Sequence, residues 1–279
     1  MTWFTASRAP PEPHLPPGWR VMEFDSLDST NAALKRIVEQ EGDVQEGLMV
    51  WANTQTAGRG RAGRVWQSPR GNVYISILIA APESLAQAPE LGFVAAVAVR
   101  ETILELPRHN AGAPKVSCKW PNDILIEGEK VCGILPELTT DDQKRSWIVL
   151  GIGINLKTVA LDRAAYPPTA LSVHQIDTSP AHVLTVLTRS LFKWLQIWRE
   201  QGFAAIRQQW CDCGPDLGAN IAVGLPEGAV SGEFIGLDED GALLLETRKG
   251  RRRIVVGDVL FPGSETGPAT GENPDAAGD

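Results

Sequence analysis

Residues 53–66, NTQTAGRGRAGRVW, combine three arginines with three glycines and are the stretch best suited to chemistry. Glycine lets a backbone approach a ligand closely, and guanidinium groups bind carboxylates and phosphates through two parallel hydrogen bonds. The apolar runs 48–51 and 73–79 flank the stretch, so we expect a loop between two strands. The pattern predicts an anion-binding loop, although a flexible solvated loop has a similar composition.

Gly58, Gly60 and Gly63 also spell the dinucleotide fingerprint G-x-G-x-x-G. That fingerprint requires a helix directly after the glycines, whereas the residues that follow here favour a strand. We therefore expect no Rossmann-type site.

Residues 28–31, DSTN, precede an apolar pattern of helical spacing and are predicted at a helix N-terminus. Hydroxyl side chains at this position cap the exposed N–H groups of the first turn. They can also hydrogen-bond a neutral polar ligand, and the sequence leaves both roles open.

Residues 116–126 read as an apolar strand that Trp120, Pro121, Asn122 and Asp123 interrupt. Proline cannot donate to a strand ladder, so we expect an irregularity there. The amide and carboxylate after it either form a turn or face a site at the sheet surface.

Residues 127–130 form a predicted hairpin turn before a partner strand at 131–138. A further strand is predicted at 146–157. Its Gly151 and Gly153 lie on one face and clear space beside the sheet for a ligand or another backbone.

Composition narrows the class of protein. A net charge of -8 argues against a general nucleic-acid binder. No apolar run approaches the roughly 18 residues of a membrane span, so we predict a soluble, cytoplasmic protein. Four cysteines, Cys118, Cys132, Cys211 and Cys213, are predicted to be buried or half-buried thiols in a reducing compartment.

The apolar patterns predict helices at 89–106, at 179–198 and at 203–210, followed by short strands of an all-β barrel. We predict four regions along the chain. These are a disordered Pro-rich leader at 1–20, a catalytic domain at 21–213, a small barrel at 214–263 and a disordered tail at 264–279.

Four motifs, in this order, resemble those of the biotin-protein ligases, which biotinylate carrier domains of acyl-CoA carboxylases. The first motif is Asp28-Ser29-Thr30-Asn31, and the second consists of Gln55 together with residues 58–66. The third consists of residues 119–123 together with Lys130 and Gly133, and the fourth is residues 151–155. The resemblance covers residues 24–261. It implies an α/β (α+β) fold, namely a mixed sheet with helices related to class II aminoacyl-tRNA synthetases, followed by an SH3-like barrel.

The resemblance implies a two-step reaction in which ATP and Mg²⁺ activate biotin as biotinyl-5'-adenylate before a carrier lysine receives it. The implied partner is a biotin carboxyl carrier protein, and we expect a monomer or weak homodimer. About twenty residues before the first strand are too few for a helix-turn-helix, so no specific DNA binding is expected. The alternatives are a lipoate or octanoate ligase or transferase, and a biotin-sensing transcriptional regulator.

The resemblance also implies the site residues. The implied biotin-binding residues are Ser29, Thr30, Asn31, Gln55, Arg59, Gly60, Arg61, Lys130 and Gly133. The implied nucleotide-binding residues are Arg64, Trp66, Lys119, Asn122 and Asn155. Arg61, Lys130 and Asp123 are the implied catalytic residues, with Asp123 also matched to Mg²⁺ or to the incoming lysine.

Overall fold

A computed structural model of the chain describes residues 12–40, 44–107, 112, 114–157, 167–226 and 228–260. Over these ranges the chain forms a seven-stranded and a five-stranded sheet. The larger sheet contains β1 Arg20–Leu27, β2 Leu48–Gln55, β3 Val73–Ala80, β4 Val116–Lys119, β5 Asp123–Ile126, β6 Glu129–Thr140 and β7 Ser146–Ile154. Their spatial order is β1-β2-β3-β7-β6-β5-β4, and β1 and β2 are parallel while the other neighbours are antiparallel.

Helices cover both faces of this sheet. They are α1 Thr30–Gln40, α2 Glu90–Glu105, α3 Pro180–Gln201 and α4 Phe203–Cys211. Ser179 caps α3 by accepting a hydrogen bond from the His182 N–H, and Pro180 occupies the first turn, where its missing N–H costs nothing. α2 is apolar on nearly all sides because it lies between the sheet and α3.

Side chains of the central strands point alternately to the two faces of the sheet and so form two hydrophobic core layers. Val73, Ile75 and Ile77 of β3 belong to the core cluster that contains the α2 and α3 side chains. Leu78 belongs to the cluster that α1 covers, with Leu34 as its helix partner. Because successive side chains point to opposite faces, Ser76 lies on the α1 face as well, at the point where the apolar layer ends.

The smaller sheet consists of short antiparallel strands in the order β11-β10-β9-β8-β12. Its strands are β8 Asn220–Leu225, β9 Gly228–Leu237, β10 Leu243–Thr247, β11 Gly250–Ile254 and β12 Asp258–Val259.

The predicted fold class, a mixed α/β part followed by a small all-β part, is confirmed. The strand β12 was not predicted, because two residues show no periodicity.

Two predictions about local structure are wrong. Residues 12–19 belong to the predicted disordered leader, yet Leu15 and Trp19 pack against the core, and the Trp19 ring meets Phe192 edge-on at 5.9 Å. Burial of these apolar side chains offsets the cost of ordering the segment. Residues 1–11 of the leader and the predicted disordered tail lie outside the described residues.

The second error is that 116–126 forms two strands rather than one, although the interruption predicted there is present as a turn. The chain reverses at Trp120–Pro121–Asn122, so the two halves pair with each other as β4 and β5, with Cys118 opposite Ile124. Buried Trp120 anchors the reversal, because its Nε1 donates at 3.0 Å to the carbonyl of Gly241, in the turn between β9 and β10 of the smaller sheet. Among the helices of the described residues, none is long and apolar enough to cross a membrane.

Candidate active site

A cavity of about 550 Å³ opens on the α1 face of the larger sheet, beyond the N-terminus of α1. Every site residue that the resemblance implies lines it. These residues are Ser29, Thr30, Asn31, Gln55, Arg59, Gly60, Arg61, Arg64, Trp66, Lys119, Asn122, Asp123, Lys130, Gly133 and Asn155.

One end of the cavity is neutral and polar. Gln55 Oε1 accepts from the Thr30 N–H at 2.8 Å, and its amide nitrogen donates to Ser68 Oγ at 2.8 Å. Ser76 Oγ lies 2.8 Å from Thr30 Oγ1 and 2.5 Å from Asn31 Oδ1. These hydrogen bonds fix the side-chain orientations at this end without placing a net charge there.

Behind this end, Glu137 of β6 holds Asn31 in place without lining the cavity itself, and the sequence analysis did not identify it. Its carboxylate accepts from Asn31 Nδ2 at 2.7 Å and from Lys35 Nζ at 2.9 Å, and Arg59 pairs with it at 3.3 Å. Burial alone would raise the pKa of Glu137, but Asn31 and the two cations outweigh it and hold the pKa below its usual value. The sequence feature that could have identified Glu137 is an acidic residue inside an otherwise apolar predicted strand.

The other end is cationic and centres on Asp123, whose side chain is buried. Lys130 Nζ lies 2.7 Å from one carboxylate oxygen and Lys119 Nζ 3.3 Å from the other. Burial opposes ionisation of Asp123, but Lys130 and Lys119 outweigh it and lower its pKa. Burial also lowers the pKa of Lys119, and the negative charge of Asp123 partly offsets that decrease. The three groups carry a net positive charge facing the cavity when all are ionised.

The loop that follows β2 and carries Arg59, Arg61 and Arg64, called the arginine loop below, also contributes to this cationic end. Arg61 Nη1 lies 3.4 Å from Asn122 Oδ1, 3.4 Å from the carbonyl of Gly257 and 3.5 Å from Asp258 Oδ1. Arg64 also pairs with Asp258. The smaller sheet therefore supplies a carboxylate to the cavity, which sequence reasoning missed because β12 showed no strand pattern.

Glycines of β6 and β7 form the floor. Gly133 and Gly153 lie directly opposite each other, and the Trp66 indole covers both, so a Cβ on Gly153 would lie 2.7 Å from Trp66 Nε1. A Cβ on Gly151 would lie 2.3 Å from Asn31 Oδ1. The predicted space beside these glycines exists, but two side chains of the protein occupy it.

Two further predicted residues border the nucleotide end that the resemblance implies. Lys130 Nζ lies 5.3 Å from the centre of the Trp66 ring, and Trp66 Nε1 is buried with no hydrogen-bond partner among the residues described. Asn155 Nδ2 donates to the carbonyl of Thr169 at 3.0 Å, which fixes its side chain at the cavity wall.

Comparison with known proteins agrees with this geometry. The Biotin/lipoate A/B protein ligase family matches residues 23–155, and the Biotin protein ligase C terminal domain matches residues 216–261. The Biotin--[acetyl-CoA-carboxylase] ligase of Paracoccus denitrificans is 34% identical over 244 residues, which cover 85% of this chain and 98% of that protein. The Bifunctional ligase/repressor BirA of Bacillus subtilis is 32% identical over 87% of this chain and 74% of its own length.

Among solved structures, the biotin protein ligase from Aquifex aeolicus in complex with biotin and ATP superposes with a TM-score of 0.69 at 30% identity. The match covers 86% of this chain and 97% of that one. The chain belongs to the biotin protein ligase family.

Proposed function

We propose that this protein uses ATP to activate biotin and then attaches it to a lysine side chain of a biotin carboxyl carrier protein. The observation that carries the proposal is a single cavity with a neutral polar end and a cationic end. The Aquifex aeolicus relative was solved with biotin and ATP, which supports two ligands of this chemistry in one site.

The reaction has two steps. A carboxylate oxygen of biotin attacks the α-phosphorus of ATP, and pyrophosphate leaves. The lysine amine of the carrier then attacks the carbonyl carbon of the mixed anhydride, so that an amide bond forms and AMP leaves. The first step needs the acid and the nucleotide held end to end, as the two ends of the cavity would hold them, and the second needs the carrier lysine beside the anhydride carbonyl.

The neutral end suits the ureido ring of biotin, which is uncharged and needs hydrogen-bond donors and acceptors. Ser29, Thr30, Asn31 and Gln55 provide hydroxyl and amide groups there, and buried polar groups left unpaired would penalise an apolar ligand. A lipoyl or octanoyl group offers no such partners at its far end. This end of the cavity therefore favours biotin over lipoate and octanoate.

The cationic end suits the charge that develops in the first step. A carboxylate and a triphosphate repel each other, and Arg61 and Lys130 offset that repulsion at the reacting atoms. Arg59 and Gly60, on the same loop, also line the cavity, and we assign to them the covering of the bound acid, which excludes water that would hydrolyse the adenylate.

The remaining predicted residues belong to the nucleotide. The Trp66 indole offers an aromatic face to a base, and Arg64, Lys119, Asn122 and Asn155 add charged and amide groups to the lining of the same cavity. Asp123 acts through its neighbours, because its carboxylate holds Lys119 and Lys130 at the cavity wall.

The residues at Asp123 do not fit a protein-held magnesium ion. Two ammonium groups already pair with the carboxylate, one at each of its oxygen atoms. The prediction that Asp123 binds Mg²⁺ is therefore not supported by the geometry. No step of the proposed mechanism is assigned to the ion.

Pyrophosphate exchange into ATP tests the first step directly. We expect exchange that depends on biotin and is absent with lipoate or octanoate. Lys130→Ala should lower it about 100-fold or more, as loss of one preorganised charge at a reacting phosphate does. Lys193→Ala is the matched control, because Lys193 is exposed on α3 and pairs with Glu101. Exchange with octanoate or lipoate instead of biotin would assign the protein to lipoyl chemistry, and no exchange with any acid would contradict the proposal.

A further inference from the structure

Two buried cysteines lie in contact where the larger sheet meets the segment that leads to the smaller one. Cys118 is in β4, and Cys213 is in the turn that follows α4. Their sulfur atoms are 3.2 Å apart although the residues are 95 positions apart in the chain. Both are free thiols, exposed by only 2% and 6%.

The backbones around this pair match disulfide geometry. The Cys118 N–H donates to the Cys213 carbonyl at 2.7 Å, which sets the two backbones at about the spacing of neighbouring strands, roughly 5 Å. Disulfides bridge Cα atoms about 4.4–6.8 Å apart, with sulfur atoms about 2.05 Å apart. The sulfur atoms therefore need to approach by only about 1.1 Å, which small side-chain rotations provide.

The surroundings also favour a reaction between these two thiols. A hydrogen bond from Cys118 lowers the pKa of Cys213, while burial raises the pKa of Cys118. The guanidinium of Arg100 is held beside the pair by the carbonyl of Val116 at 3.0 Å, and its charge favours the thiolate form of both. Cys213 is also the more exposed of the two, so it is the thiol better placed to meet an oxidant first.

We propose that Cys118 and Cys213 form a redox modification site, at which a peroxide converts the two thiols into a disulfide. The Cys213 thiolate attacks one peroxide oxygen, the O–O bond breaks, and the departing hydroxide takes up a proton to become water. The sulfur of Cys118 then attacks the sulfenic sulfur, the S–O bond breaks, and a second water leaves with the Cys118 proton. Two thiols and one hydrogen peroxide give one disulfide and two waters, and a thiol reductant reverses the change.

The disulfide would tie β4 to the chain that enters the smaller sheet, one residue before Lys119 at the cavity wall. Closing a loop of this length restricts the unfolded chain, so the oxidised protein should unfold at a temperature several degrees higher. This inference concerns thiol chemistry and does not depend on the proposed ligase activity.

The test is peroxide treatment of the full chain, followed by maleimide labelling under denaturing conditions and peptide mapping by mass spectrometry. We expect one linked peptide pair containing Cys118 and Cys213, lighter by two hydrogen atoms than the two peptides together, which dithiothreitol separates. Cys132 should stay reduced, because within the described part of the chain its sulfur contacts the carbonyl of Gly133 rather than a second sulfur.

Cys213→Ser should abolish both the linked pair and the rise in unfolding temperature. Cys211→Ser is the matched control, since it removes a half-buried thiol two residues away and should leave both results unchanged. Mapping of the wild-type chain decides the question even where a variant folds poorly. The proposal is wrong if Cys118 and Cys213 remain open to maleimide after peroxide treatment, or if the bond that forms joins Cys211 to Cys213.

Discussion

At the scale of single residues, the absence of side chains at three glycines decides what the cavity floor can hold. Gly133 and Gly153 let the Trp66 indole pack closely against β6 and β7, and Gly151 admits the amide of Asn31. The alternating glycines of β7 were predicted to clear space. That Trp66 and Asn31 would enter it could not be predicted, because this depends on the register of the strands and on the path of the arginine loop.

Gly153→Ala tests this arrangement. The added methyl group would lie 2.7 Å from Trp66 Nε1, so the indole must move. We expect a loss of about 1–3 kcal/mol in the free energy of unfolding, as for overpacking in a core. If the nucleotide stacks on Trp66 as proposed, ATP affinity should fall as well, measured by calorimetry.

Gly92→Ala in α2 is the control, because the nearest atom to its added methyl group is Pro136 Cγ at an ordinary 3.7 Å. Alanine is the better helix former, so this variant should be stabilised by roughly 0.5–1 kcal/mol. Equal effects of the two substitutions would show that Trp66 does not depend on the glycine floor.

At the scale of elements, polar turns hold the strand pairs together through side-chain hydrogen bonds that strand periodicity does not reveal. The turn between β6 and β7 is an example. Asp141 is buried there, and it accepts from the Arg145 N–H at 2.9 Å, from Arg145 Nε at 2.6 Å and from Trp147 Nε1 at 2.9 Å. Periodicity predicts which residues form β7 but not which hydrogen bonds end it.

This turn predicts a pH dependence of stability. Burial opposes ionisation of Asp141, but the Trp147 and Arg145 donors outweigh it and lower its pKa from 3.8 to about 2. The folded state therefore binds this proton less readily than the unfolded state. The stabilisation is fully present above about pH 4 and is lost as the pH falls from 3.8 towards 2.

Urea unfolding between about pH 5 and pH 2 measures this effect. Asp141→Asn should be less stable than wild type at pH 5, and the difference should shrink as the pH falls. Asp142→Asn, at the exposed neighbouring position, should keep the wild-type slope. If the unfolding free energy of Asp141→Asn were lower than that of wild type by the same amount at every pH, the role given to this carboxylate would be wrong.

At the scale of the whole molecule, the function depends on how the two sheets meet. The strands of each sheet could largely be predicted, since alternation and turn residues mark them. Their docking could not, because it rests on isolated contacts between residues far apart in sequence. Trp120 donates to Gly241 across the junction, and Arg61 and Arg64 pair with Asp258 at the cavity.

Asp258 gives this docking a functional consequence that can be measured. Arg64 and Asp258 are partly exposed, so the pair contributes little to stability, at most about 1 kcal/mol. Its larger effect is positional, because Asp258 and the Gly257 carbonyl together hold Arg61 over Asn122. Under the proposed function, those arginines would meet the nucleotide.

Asp258→Asn keeps the shape of the side chain but removes the charge that holds both arginines. We expect the KM for ATP in pyrophosphate exchange to rise several-fold, with the unfolding free energy changed by less than about 1 kcal/mol. Asp238→Asn is the control in the same sheet, since Asp238 pairs with Arg253. A lower KM for ATP would mean that Asp258 competes with phosphate for the arginines. The smaller sheet would then restrain the loop in the absence of nucleotide rather than prepare it for binding.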